Sequence, residues 1–92
     1  MSLEEVIDKI VEELKTSNQS RAYDEISELY HCYTHGSLAE KMNCLEALND
    51  WCHPKALGDL KVLNSTNDEW LNLLASLKSK CKKKSRQLQK LT

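Results

Sequence analysis

The sequence predicts an all-α fold, a small bundle of four or five helices with tight antiparallel hairpins and a long basic C-terminal helix. Three observations carry this reading. Apolar residues recur at steps of three and four along most of the 92 residues. Two glycines and one proline are too few for the turns of a sandwich or barrel. A Ser or Thr followed three residues later by Glu stands ahead of three of the periodic stretches, the spacing in which two side chains satisfy the unpaired amides of a first turn. A single domain over residues 1–92 follows, with helices at approximately 3–15, 20–35, 38–53, 55–63 and 67–91.

Ser2 and Glu5 open the first helix, in which Leu3, Val6, Ile7, Ile10, Val11 and Leu14 form an apolar stripe between acidic positions. Thr16-Ser17-Asn18-Gln19-Ser20 has no apolar residue and places the first turn. In the second helix Ala22, Tyr23, Ile26, Leu29, Tyr30 and Tyr33 repeat the spacing, and Gly36 stands where a left-handed C-cap is expected. Ser37 and Glu40 then repeat the capping spacing, so Gly36-Ser37 is a very tight corner. Leu38, Met42, Leu45, Leu48, Trp51 and Cys52 follow as the third stripe, which Pro54 ends because it disfavours the α region at His53 and has no amide to donate. Ala56, Leu57, Leu60 and Leu63 suit a short fourth helix, weakened by Gly58.

Thr66 and Glu69 open the last helix, whose Trp70, Leu74, Leu77, Cys81, Leu88 and Leu91 follow an alternating four-three spacing that Lys84 interrupts. Twenty-five residues would reach about 37 Å. That exceeds what a compact body of radius ~12 Å needs, so the C-terminal half is expected to project. Leu88 and Leu91 would then be exposed in a monomer and covered only by another chain.

The formal charge of −1 hides a separation along the chain. Residues 1–77 hold all fourteen acidic residues and six basic ones, a net of −8. Residues 78–92 hold Lys78, Lys80, Lys82, Lys83, Lys84, Arg86 and Lys90 with no acid, a net of +7. Seven cations exceed what a helix C-terminus needs, and the segment has the density of a polyanion-binding or nuclear-import stretch. These seven residues are the candidate contact surface for an acidic partner or a polyanion. The segment carries no aromatic residue for base stacking and a single Arg, so any nucleic-acid contact would be phosphate-led and indifferent to sequence.

Other chemistries are argued down by spacing. Cys32, Cys44, Cys52 and Cys81 read as small apolar core residues with free thiols. His31, Cys32, His35, Cys44, Cys52 and His53 are all zinc-ligand types. Yet Cys44 and Cys52 lie about 12 Å apart along one helix, against the ~3.5–4 Å between ligands of a tetrahedral zinc. At most His31 or Cys32, His35 and Cys44 could converge, and no metal or other cofactor is expected. Cys52 and His53 are adjacent on a helix and point about 100° apart, which does not make a nucleophile and its base. No phosphate loop, GxSxG or HExxH is present. An enzyme is not expected, nor a small-molecule substrate, since a bundle of this length has little room for a pocket of ~300 Å³ or more.

Tyr23, Tyr30 and Tyr33 read first as core, because the chain has no phenylalanine to fill the space between helices, and alternatively as an interface patch together with Leu88 and Leu91. No apolar run approaches the ~18 residues of a membrane span, and the acidic, amphipathic start is unlike a secretory signal. The expected location is cytoplasm or nucleus. The function expected from these features is a non-catalytic protein-interaction module, a helical adaptor or regulator whose basic helix meets an acidic partner protein or a second copy of the chain. The alternative is a nucleic-acid-binding accessory protein that uses the helix of residues 78–90.

Overall fold

A computed structural model describes residues 2–53, 56, 57, 60, 62, 63 and 65–90. Among them are four α-helices and no strand: α1 (Leu3–Thr16), α2 (Ser20–His35), α3 (Leu38–Trp51) and α4 (Asn67–Gln89). Each packs on the next in the chain and α4 packs back on α1, which closes the bundle. The helices alternate in direction. Glu4 at the start of α1, Tyr33 and Thr34 at the end of α2, Lys41 near the start of α3 and Leu88 at the end of α4 therefore meet at one end.

The boundaries follow from local chemistry. Ser2 Oγ accepts from the Glu5 amide at 3.2 Å while the Glu5 carboxylate accepts from the Ser2 amide, and Thr66 and Glu69 form the same reciprocal pair. At the start of α3 only half of the box forms. Ser37 Oγ accepts from the Glu40 amide, but the Glu40 carboxylate takes the Ser37 hydroxyl at 3.1 Å and the Cys32 thiol at 3.8 Å. The side chain thus ties the corner to α2. The end of α1 is a Schellman motif: the Gln19 amide donates to Leu14 O at 2.9 Å and the Asn18 amide to Lys15 O at 3.3 Å, with Asn18 at φ 59°.

Gly36 departs from the sequence expectation. Its φ of −83° and ψ of 171° are extended rather than left-handed. What demands glycine is space: a Cβ there would lie 2.5 Å from Cys32 O and 2.8 Å from Glu40 Cβ. The corner is tight because two helix ends approach over a residue with no side chain.

The third helix stops at Trp51, two residues short of the expected end, and Cys52 and His53 continue it only as a tighter turn with amides donating to Asn49 O and Asp50 O. The helix expected at 55–63 spans positions 55, 58, 59 and 61, which lie outside the described residues, as do Pro54 and Leu91. Within that stretch Leu57 is fully buried. The Ala56 amide donates to His53 O, and that of Leu60 to Leu57 O.

The core is built from the expected stripes: Leu3, Val6, Ile7, Ile10 and Leu14 of α1, Ala22, Ile26 and Tyr33 of α2, Cys44, Leu45 and Leu48 of α3, and Trp70, Leu74, Leu77, Cys81 and Leu88 of α4. Leu88 corrects the sequence reading. It is 8% exposed within a single chain, so it is neither free on a monomer nor waiting for a second copy. The bundle measures 41 × 23 × 22 Å, and the 23 residues of α4, about 34 Å long, run beside it without projecting. Lys84, in the interrupted slot, is half-buried on the flank that faces Leu3 and Glu4, where its stem covers apolar surface. No helix among the described residues is long and apolar enough to cross a membrane.

Candidate functional site

The seven cations of α4 divide into two sets by helical geometry. Lys78, Lys82, Arg86 and Lys90 recur every four residues, all four exposed, and form one inclined ridge on the outer face. Lys80, Lys83 and Lys84 lie on the flank toward α1, where with Leu3, Glu4 and Gln87 they line a shallow depression of about 160 Å³. Among the described residues none of these cations has a carboxylate within ion-pair distance. Helix α1 does not neutralise the ridge, since its Glu5, Asp8 and Glu12 face solvent elsewhere.

The ridge forms one bank of a groove of about 630 Å³ between α3 and α4. Lys82, Ser85, Arg86 and Gln89 stand on the α4 side, Asn43, Glu46 and Asn49 on the α3 side, with Met42, Leu45 and Cys81 beneath. Asn49 Oδ1 is buried there with no hydrogen-bond partner. A second groove of about 880 Å³ runs between α2 and α3. Both exceed the volume expected of so short a chain, because they are open troughs along helix seams rather than enclosed pockets. Their residue types offer salt, hydrogen-bond and apolar contacts, and Ser27, His31 and Cys32 are among those lining the second.

The aromatic residues are elsewhere. Tyr33 is buried, which removes it from any surface patch, and Lys41 lies over its ring at 5.6 Å. Tyr23 and Tyr30 are half-buried against the core. Burial and the nearby carboxylates of Asp8 and Glu4 push the Tyr30 hydroxyl above its ordinary range, and burial with Glu4 does the same for Tyr33. These residues pack α2 against α1, and no aromatic ring stands among the cations of the ridge.

All four thiols are free. Burial pushes Cys44 up to about 11, Cys52 to about 11 and Cys81 to about 12, the last also through its neighbour Cys52. Cys32 is half-buried at the α2–α3 seam, where its thiol donates to the Glu40 carboxylate and its nearness adds to the upward push on Cys44. Among the described residues no three His, Cys, Asp or Glu side chains converge as metal ligands. The His31 and His35 rings meet at 4.6 Å between centroids with their planes tilted by 47°, and neither Cys44 nor Cys52 completes a set.

No family model, curated protein or solved structure matches this chain. The functional reading therefore rests on the two seams and the ridge.

Proposed function

We propose that the protein is a non-catalytic interaction module that presents the α4 ridge and the adjoining α3–α4 groove to an acidic protein partner. One observation carries this: Lys78, Lys82, Arg86 and Lys90 form an unpaired, solvent-facing row beside a trough with an apolar floor. A purely solvated face has no need of a groove beside it, and a helix-capping role needs only the last turn. Rim cations steer encounter and the floor supplies the apolar contact that retains the partner. The absence of aromatic rings among the cations weighs against a stacking surface for single-stranded nucleic acid.

The test uses the full chain with two probes, an acidic amphipathic peptide with leucines on one face and a 20-base-pair duplex of arbitrary sequence. Triple replacement of Lys78, Lys82 and Arg86 by Glu is expected to weaken peptide binding at least tenfold with helicity unchanged, whereas Lys80→Glu with Lys83→Glu changes it little. Binding to the duplex that exceeds binding to the peptide, with a logarithmic salt slope of several ions, would replace this reading by the nucleic-acid one.

A further inference from the structure

On the other flank of α3 a second surface has the opposite character. Glu25, Glu28 and Cys32 lie on the flank of α2 beside the stripe that buries Ala22, Ile26 and Tyr33, and the half-buried Leu29 stands at the edge of that stripe. Opposite this flank on α3 stand Ala47 and Trp51, one turn apart. Ala47 is the cause of the trough: a methyl where neighbouring turns carry larger side chains leaves the half-buried Trp51 ring as one wall and Leu29 as the other. Ser27 Oγ, which also lines it, is buried without a hydrogen-bond partner.

Among the described residues, the ionisable ones that line this groove are Glu25, Glu28, His31 and Cys32, with no Lys or Arg among them. Arg21 pairs with Glu25 at 3.6 Å, but it is almost fully exposed and such a pair is weak. No residue of α4 lines the groove.

We infer that the α2–α3 groove is a docking site for a basic amphipathic helix of another protein, with aliphatic side chains on the Leu29, Ala47 and Trp51 floor and Lys or Arg side chains against Glu25 and Glu28. The apolar floor selects a helix with i, i+3 and i+4 anchors, and the carboxylates select its charge. This surface is independent of the α4 ridge. Together they make the molecule two-sided, one flank of α3 for an acidic partner and the other for a basic one.

The two tryptophans make this measurable. Trp70 is buried and stays so, while Trp51 is the ring that docking would cover. The probe is an 18-residue leucine-lysine peptide of helical spacing, with the leucine-glutamate peptide of the same pattern as its counterpart. Titration with the lysine peptide is expected to shift tryptophan emission to the blue, and Trp51→Phe to abolish the shift while calorimetry still records binding. Glu25→Lys with Glu28→Lys, and separately Ala47→Arg, should each weaken binding at least tenfold with the circular dichroism unchanged. Asp8→Lys with Glu12→Lys, an equal charge change on the exposed face of α1, should alter it less than twofold. Equal losses from the α1 and α2 pairs would overturn the proposal, because the peptide would then be reading bulk acidity. An acidic peptide is expected at the α4 ridge, away from Trp51, so the readout that separates the two sites is the emission shift. An equal blue shift with the glutamate peptide would overturn the proposal too, as would self-association of the protein alone that Ala47→Arg abolishes, since a second copy would then be the occupant.

Discussion

Trp70 Nε1 donates a buried hydrogen bond to Leu57 O at 2.8 Å. The indole sits in the first turn of α4 and the carbonyl in the connection between α3 and α4, so one contact fixes where the chain must be before the last helix begins. Ser17 Oγ, at the end of α1, accepts from the Leu63 amide at 2.9 Å and holds the same connection from the other side. A stretch with few helical signals is thus held by polar anchors placed in its neighbours.

Trp70→Phe keeps an aromatic ring but removes the indole donor, so that Leu57 O retains only the Leu60 amide, and it empties part of the buried indole volume. The expected loss is about 1–3 kcal/mol, read as a lower urea midpoint with the slope unchanged.

Gly36→Ala introduces a methyl 2.5 Å from a backbone oxygen that cannot rotate away. A destabilisation of about 1–3 kcal/mol is expected by thermal unfolding. Because φ is already negative, the loss reports crowding and not backbone conformation.

Three thiols are protonated more firmly in the folded protein than in the unfolded chain. Below about 9 both states hold the proton and these thiols leave stability unchanged. As pH rises from about 9 toward 11 and 12 the unfolded chain loses protons first, so stability is expected to fall over that window. The raised Tyr30 and Tyr33 hydroxyls act with the same sign. Urea midpoints at pH 8, 9.5 and 10.5 check it. In native buffer a thiol reagent should modify Cys32 first, with the other three released on unfolding.

Leu88→Ala removes a side chain that is 8% exposed and should cost about 2 kcal/mol, whereas Leu71→Ala, at a position 39% exposed, should change stability by less than about 0.5 kcal/mol. Amide exchange near Leu88 as slow as at Leu77 would accompany the first result. Rapid exchange there would mean that the end of α4 is not docked.

The capping pairs at Ser2 and Thr66 and the apolar stripes were legible because each is a short-range pattern whose physics closes within a few residues. Leu88 was misjudged for a geometric reason: its burial depends on the bundle being 41 Å long and 22 Å wide, a shape set by helix pairing rather than by chain length. Gly36 was recognised as a corner but for the wrong cause, since the approach of Cys32 O and Glu40 Cβ exists only after α3 has turned back. The left-handed Asn18 left a trace in the polar Thr16–Ser20 run, where Asn is the residue that tolerates that conformation best. The ridge of α4 was legible as charge but not as two flanks. The α2–α3 groove was not read at all, although Ala47 one turn before Trp51, on a face apart from the Leu45 and Leu48 stripe, is its signature.

The meeting of Leu3 and Glu4 with Lys80, Lys83 and Lys84 has a consequence for the order in which the molecule can be made. During synthesis the turn that holds Leu3 and Glu4 leaves the ribosome well before the turn that shelters it. Helices α1 to α3 can pair as they emerge, yet the side of α1 destined for α4 stays wet until some eighty further residues have been joined. The nascent chain therefore carries an uncovered aliphatic strip until α4 has emerged, and closure of the ring waits for that helix.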